Sequence, residues 1–234
     1  MSIRFKIISL KGAIVIHILC LTISCDSNTF IGNYEGTPYS DSLYSKGSQT
    51  IPGIVHLEYY DFGGEGISFH DSDSLNSGSG NLNPPNGSYL NEFRINEPVD
   101  ISYTKSAGID DTEFNFAPIH MNQLYLGWTL PDEWTRYSVH VLNSGYYKIG
   151  LMYTSNSGGS ISIAVNDNPP SDTLFISSTF VEADTVSWRQ WHHWNYDNDI
   201  GKILLKKGFH VLTVKTIEKG NMNYDYLSFT LIDN

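Results

Sequence analysis

The sequence predicts an all-β domain built as a β-sandwich or jelly roll. Runs in which apolar and polar residues alternate recur along the chain, and Gly, Asn, Asp and Pro bound them. Aromatic residues, which favour strands, are unusually plentiful, with 5 Trp, 15 Tyr and 11 Phe among 234 residues. No segment has the capped 3.6-residue period of a helix, and regularly spaced strands without helices are typical of sandwiches.

The clearest predicted strands, in chain order, are residues 138–141, 148–153, 160–165, 212–215 and 226–231. The turn Asn143-Ser144-Gly145 introduces the second of these runs, and Lys207-Gly208 introduces the fourth. Residues 77–92 and 103–122 show little alternation and are predicted to be long loops. Long ordered loops on a rigid β-scaffold are where binding sites usually lie.

Residues 1–24 have the pattern of a secretory signal peptide. Arg4, Lys6 and Lys11 precede an apolar stretch of about a dozen residues, which is short for a transmembrane helix. A short membrane anchor is the alternative. Leu21-Thr22-Ile23-Ser24-Cys25 resembles a bacterial lipoprotein signal, although Thr22 stands where Leu is usual. The resemblance implies that Cys25 is lipidated and becomes the mature N-terminus. The predicted location is therefore the cell envelope or cell surface, held by a lipid anchor.

The domain organisation follows from that cleavage point. Residues 25–50 are rich in Ser, Gly, Asp, Asn and Tyr and are predicted to be a flexible tether. Residues 51–234 are predicted to form the β-domain. The formal charge is −11 for the whole chain, and it becomes −14 once the three cations of residues 1–24 are removed. Such an acidic chain does not suit nucleic-acid binding, which needs a basic face.

Six segments of the chain, in order, resemble the family 6 carbohydrate-binding modules and their close relatives. They include His56-Leu57-Glu58-Tyr59-Tyr60-Asp61, Leu126-Gly127-Trp128, Ser187-Trp188-Arg189-Gln190-Trp191 and Asn223-Tyr224-Asp225-Tyr226. The resemblance spans about residues 51–231. It implies a galactose-binding-domain-like jelly roll that has no catalytic activity and binds a sugar in the loops at one end. The implied partner is a polysaccharide or oligosaccharide, and the acidity of the chain favours a neutral one.

The resemblance also nominates site residues. Trp188 matches a sugar-stacking Trp, Phe93 stands where the family often has a Tyr forming the opposite wall, and Asn223 matches an amide at the sugar site. Trp191 looks like the family's buried Trp, and a spacing of three in a strand would place it on the face opposite Trp188. Each nominee has an alternative interpretation: Trp188 as a core residue, Phe93 as a half-buried strand residue and Asn223 as a turn residue.

Glu58 and Asp225 match positions of a structural calcium in the same family. Carboxylates are hard oxygen ligands, so the two residues would suit calcium. His56 stands where a carboxylate or amide is common, and an imidazole is a poor calcium ligand.

Two other functional classes stay open on the sequence. One is a glycoside hydrolase or esterase that uses loop acids such as Glu65 and Glu133. The other is a structural or adhesive surface protein that keeps the fold without a sugar site. The leading interpretation is glycan capture at the cell surface, with surface glycan-degrading enzymes as possible partners.

Overall fold

A computed structural model describes residues 32–44 and 47–232, and in these residues the chain is almost entirely strands and loops. The predicted signal peptide and Cys25 lie outside the described residues. The strands are β1 (Gln49–Ile51), β2 (Gly53–His56), β3 (Phe69–His70), β4 (Ile101–Tyr103), β5 (Leu124–Leu126), β6 (Trp134–Val141), β7 (Gly145–Ser155), β8 (Gly159–Val165), β9 (Leu174–Ile176), β10 (Asn195–Leu205), β11 (Gly208–Glu218) and β12 (Met222–Leu231). The two short helices are α1 (Tyr89–Glu92) and a 3-10 helix (Ser187–Trp191).

Two six-stranded sheets pack against each other. The first has the order β1-β6-β11-β8-β9, with β3 also paired to β6, and the second has the order β10-β7-β12-β5-β4, with β2 also paired to β12. The neighbours β7 and β12 align Leu151 with Leu227 and Ile149 with Phe229, and all four side chains are buried. The alternation seen in the sequence therefore lines the core, and the predicted all-β jelly-roll sandwich is confirmed.

All five strand predictions fall within longer strands, namely β6, β7, β8, β11 and β12. Residues 77–92 contain only the single turn of α1, and residues 104–122 have no strand or helix, as predicted for long loops. The largest fully buried side chains are aromatic and include Trp194, Tyr60, Tyr137, Tyr147 and Tyr153. Among the described residues, no helix combines the length and the apolar character that crossing a membrane requires.

The predicted tether, residues 25–50, is wrong over the part that the structure describes. Tyr39 is only 5% exposed, and Thr37 exchanges two backbone hydrogen bonds of 2.8 Å with Phe62. The Tyr34 hydroxyl donates to Asp61 at 2.9 Å, and β1 already begins at Gln49. The physical reason is that tyrosines supply enough apolar surface to pack a polar, turn-rich segment onto a sandwich.

Candidate functional site

A cleft of about 450 Å³ lies beside the 3-10 helix, and three tryptophans border it. We call it the tryptophan cleft. Its lining is Leu82, Tyr125, Trp128, Trp188, Trp191, His192, Asn221 and Asn223. The lining comes from the loop after β3, from β5 and the residues that follow it, from the 3-10 helix and from the start of β12. The structure thus brings two of the three predicted sugar-site residues, Trp188 and Asn223, into one cleft.

Trp188 is 52% exposed, which agrees with its predicted role and not with the core alternative. Its indole makes an edge-to-face contact with His192, with ring centroids 5.6 Å apart. Trp191 was predicted to point away from Trp188, and this prediction is wrong because the segment is a 3-10 helix rather than a strand. Residues three apart are eclipsed in a 3-10 helix, so Trp191 lines the same cleft. The buried tryptophan is Trp194.

The buried carboxylate of Asp184 holds the 3-10 helix in place. It accepts hydrogen bonds from Arg189 Nε at 2.6 Å and Nη2 at 2.7 Å. The Val186 amide also donates to it at 3.0 Å, and His193 Nε2 lies 2.8 Å from it. The hydrogen bonds from Arg189 are the main reason that the pKa of Asp184 lies well below its usual range.

A second buried carboxylate, Asp110, holds the residues that follow the helix. Trp194 Nε1 donates to its Oδ1 at 2.7 Å, and His192 Nδ1 lies 2.8 Å from the same oxygen. The Lys105 amide donates to its Oδ2 at 2.7 Å. Asp110 belongs to the long loop 103–122, so that loop supports the cleft from behind rather than lining it. Sequence reasoning identified neither Asp110 nor Asp184.

The side chain of Asn223 holds the backbone of two cleft residues, Trp191 and Trp128. It is only 6% exposed, and its Nδ2 donates to the Trp191 carbonyl at 2.9 Å and to Thr154 Oγ1 at 3.3 Å. Its Oδ1 accepts the Trp128 amide at 3.3 Å. A primary amide has two donor hydrogens and two acceptor lone pairs, so these bonds leave one lone pair for a ligand. Asn223 was expected to donate to a sugar and to accept from it. Both of its donor hydrogens are used within the protein, so it can only accept.

Trp128 and Asn221 complete the cleft, and neither was predicted as a site residue. Both have left-handed backbones, with φ of 48° and 50°. Such conformations are strained for residues other than glycine and persist where the surroundings hold them. The Asn221 amide donates to the Thr129 carbonyl, and the Thr129 hydroxyl donates to the Met222 carbonyl at 3.2 Å. The motif Leu126-Gly127-Trp128 was the sequence feature that marked this loop.

Phe93, the third predicted sugar-site residue, does not belong to the tryptophan cleft. It is 3% exposed, and its ring packs against Tyr89 at 5.2 Å, Tyr39 at 5.6 Å and Tyr59 at 5.9 Å between centroids. We call these four residues the Phe93 cluster. The prediction is wrong because Tyr39, from the segment taken for a tether, covers the ring that was expected to face a ligand.

The acids proposed for a hydrolase are engaged in loop contacts instead. Glu133 accepts from the Leu130 amide at 2.7 Å and from the Ser72 hydroxyl at 2.6 Å. Glu65 lies 2.5 Å from His70 Nδ1 and accepts the Asp71 amide at 3.1 Å. Neither acid lines the tryptophan cleft.

The predicted calcium ligands do come together. The ligand atoms of His56, Glu58 and Asp225 all lie within 4.8 Å of one another, and we call these three residues the His56 cluster. His56 Nδ1 lies 3.3 Å from Glu58 Oε1, and Gln123 donates to Asp225 Oδ1 at 2.7 Å. Burial raises the pKa of Glu58 and raises that of Asp225 to about 8. Two buried carboxylates suit a divalent cation, but an imidazole among them does not suit calcium.

Comparison with known proteins gives only distant similarities. No protein-family model matches the chain, and no curated protein matches it in sequence. A carbohydrate-binding module of lichenase 5A from Cellvibrio mixtus, solved with cellotriose, is 18% identical over 58% of this chain and 88% of that one, with a TM-score of 0.42. The module CsCBM6-3 from Clostridium stercorarium, solved with cellobiose, is 10% identical over 80% and 99%, with a TM-score of 0.48. A β-1,3-glucan-binding module from Bacillus halodurans is 13% identical over 78% and 98%, with a TM-score of 0.44.

Proposed function

We propose that this protein binds carbohydrate without catalysing a reaction, and that it takes a neutral oligosaccharide or a stretch of polysaccharide into the tryptophan cleft. One observation carries the proposal: Trp188 keeps 52% of its surface exposed in a cleft that Trp128 and Trp191 also border. An exposed tryptophan in a concave site lined by other aromatic residues is typical of a ligand-binding site.

Sugar rings suit such a cleft. One face of a pyranose presents C–H groups, which bury apolar area and meet the negative π face of an indole. Three indoles along one cleft provide several apolar walls, so more than one sugar ring can be engaged. The half-buried His192 and the exposed Asn221 provide polar groups at the cleft for hydroxyl groups of the ligand.

The charge of the cleft favours a neutral ligand. No Asp, Glu, Lys or Arg is among the described residues that line it, so it has no cation to pair with an acidic sugar. The same absence of carboxylates from the lining supports binding without hydrolysis, because glycoside cleavage requires two carboxyl groups beside the scissile bond.

Isothermal titration calorimetry of the purified protein against neutral and anionic polysaccharides tests the proposal. We expect weak binding to a neutral glycan, since each hydroxyl exchanges water for protein at little net gain. Trp188→Ala should weaken that binding at least about tenfold, which corresponds to about 1.4 kcal/mol. Phe175→Ala is the matched control, because Phe175 is 73% exposed and lies outside the cleft on β9. Absence of binding to every glycan, or equal losses in both variants, would contradict the proposal.

We also propose that lipidation of Cys25 tethers the domain to the cell envelope or cell surface. A tether raises the local concentration of a weak binding site, so modest affinity is enough to capture glycans for surface glycan-degrading enzymes. Incorporation of a labelled fatty acid by the expressing cells, lost in Cys25→Ala, tests the anchor. Unlabelled protein that is released to the medium would contradict it.

A further inference from the structure

The His56 cluster combines features that point to a metal site. It contains one imidazole and two carboxylates, supplied by β2, by the residues just after β2 and by β12. Their donor atoms lie within 4.8 Å of one another, close to the separation of about 3–4 Å between two ligands of one small ion. Glu58 is 2% exposed, and its Oε2 has no hydrogen-bond partner among the described residues. A buried carboxylate oxygen without a partner is costly unless a ligand or ion satisfies it.

The backbone directs Asp225 into this cluster. The pairing of β12 with β7 shifts register between Tyr224 and Tyr226, so Asp225 lies on a β-bulge. A bulge re-aims one side chain out of the regular alternation, and here Asn223, Tyr224 and Asp225 are buried in succession. Gln123 then orients the carboxylate, as supporting residues often do for metal ligands.

The donor set decides which cation fits. Calcium takes six to eight oxygen ligands, and an imidazole nitrogen lowers the fit. Zinc and its neighbours in the first transition row accept nitrogen and oxygen together, commonly with three protein ligands and a remaining position for water. We therefore propose that the His56 cluster binds a divalent transition-metal ion of the zinc class, with His56, Glu58 and Asp225 as its ligands.

The site can be reached from solvent. His56 and Glu58 border a cavity of about 540 Å³, which Tyr59, Tyr89 and Gln123 also line. A bound ion would therefore exchange with solution, and a chelator would remove it. The site lies where β2 pairs with β12. A bound ion would therefore link the N-terminal and C-terminal strands of the second sheet.

Calorimetric titration of the chelator-treated protein at neutral pH with Zn²⁺ and, separately, Ca²⁺ tests the proposal. We expect one Zn²⁺ per chain, bound at least tenfold more tightly than Ca²⁺, and a rise in the melting temperature with Zn²⁺. Co²⁺ should give visible absorption bands that Zn²⁺ abolishes by displacement.

Three variants locate the metal. His56→Ala should weaken Zn²⁺ binding at least tenfold, whereas His120→Ala, which removes an exposed histidine outside the cluster, should leave it unchanged. His56→Asp replaces the imidazole with a carboxylate, so all three ligands then offer oxygen. The ratio of Ca²⁺ affinity to Zn²⁺ affinity should rise at least tenfold. These variants should fold, since Gln49 bonds the backbone of residue 56 and not its side chain, and circular dichroism checks this.

The proposal is overturned by any of three results. Tighter binding of Ca²⁺ than of Zn²⁺ to the unmodified protein would restore the calcium expectation. Failure of both Zn²⁺ and Co²⁺ to bind would show that the cluster holds no transition-metal ion. Binding of Zn²⁺ to His56→Ala at full affinity would place the ion elsewhere. Glycan binding in the tryptophan cleft is unaffected by each of these results.

Discussion

The tryptophan cleft and the Phe93 cluster are both rich in aromatic side chains, yet the central residue of the first, Trp188, is exposed and that of the second, Phe93, is buried. In the cleft, Trp188 is 52% exposed and its neighbours leave one side uncovered. In the Phe93 cluster, Phe93 is 3% and Tyr39 is 5% exposed, because the rings pack on one another. The same residue types therefore form an open cleft in one place and a packed cluster in the other.

The difference arises from what holds and covers each group. Asp184 and Asp110 fix the backbone that carries Trp188 and Trp191, and no segment among the described residues covers the indole of Trp188. The Phe93 cluster instead receives Tyr39 from the N-terminal segment, where Tyr39 and Tyr89 hydroxyls both donate to Asp41, at 2.5 and 2.8 Å. An aromatic residue is available for a ligand only where no distant part of the chain covers it.

The largest expected effect separates the two groups directly. Phe93→Ala should lower the free energy of unfolding by about 3–5 kcal/mol, as is typical for truncating a buried aromatic. Trp188→Ala should change it by less than about 0.5 kcal/mol, because the side chain is largely exposed. Urea unfolding measures both, and Phe93→Leu, expected to lose less than about 1.5 kcal/mol, serves if Phe93→Ala does not fold. Glycan affinity that falls in Phe93→Leu as in Trp188→Ala would contradict the distinction.

The next prediction tests whether Asn223 supports the cleft backbone or contacts the sugar directly. Asn223→Ala should cost about 1–3 kcal/mol of stability, because it removes the acceptor of the Trp128 amide and the donor to the Trp191 carbonyl and the Thr154 hydroxyl. It should also weaken glycan binding, since Trp128 and Trp191 lose a shared support. Thr154→Val, which removes the 2.6 Å bond from the Thr154 hydroxyl to the Trp191 carbonyl but does not line the cleft, should weaken binding several-fold as well.

Calorimetry with the same glycan compares the affinities of Asn223→Ala and Thr154→Val. If Asn223→Ala abolishes binding while Thr154→Val has no effect, Asn223 contacts the sugar directly, and the interpretation that it acts by supporting the cleft backbone is wrong.

The smallest expected effect concerns pH and separates the cleft from the rest of the domain. Burial raises the pKa of Asp61 and Asp100 to about 6 and that of Asp71 to about 7. Because these pKa values are higher in the folded state, the stability they contribute is full below about pH 4 and is lost as pH rises through them. We expect the free energy of unfolding, measured in urea with a chelator, to be about 2 kcal/mol higher at pH 5 than at pH 8.

The cleft should not follow that pH dependence. The pKa of Asp184 is lowered by Arg189, so its contribution is present above about pH 4 and is lost only as pH falls through the lowered value. The support from Asp184 should therefore be equal at pH 5 and pH 8, and glycan affinity should change by less than about tenfold, about 1.4 kcal/mol, a limit set by the His192 imidazole in the lining. Asp71→Asn should make the stability curve less steep between pH 6 and pH 8, where the raised pKa of Asp225 still contributes. A stability maximum at pH 8, or affinity lost at pH 5, would contradict this account.

Much of the fold was predictable because it depends on local alternation. Side chains on a strand alternate between faces, so Leu227 and Phe229 pointed to a core before any partner strand was known. Trp188 and Asn223 were found through motifs, and both line the cleft. Trp191 was misplaced because five residues of 3-10 helix leave no periodic pattern in the sequence.

The sequence by itself determined the all-β class, the places of the main strands and the presence of an aromatic site around Trp188. Only the tertiary structure decided that Tyr39 covers Phe93 and that Trp128 and Trp191 join the cleft. Successive side chains of a strand point to opposite faces because of the backbone geometry, so this alternation depends only on residues that are close in sequence. Which aromatic face stays open, and which donors meet, depends instead on segments far apart in the chain that pack together.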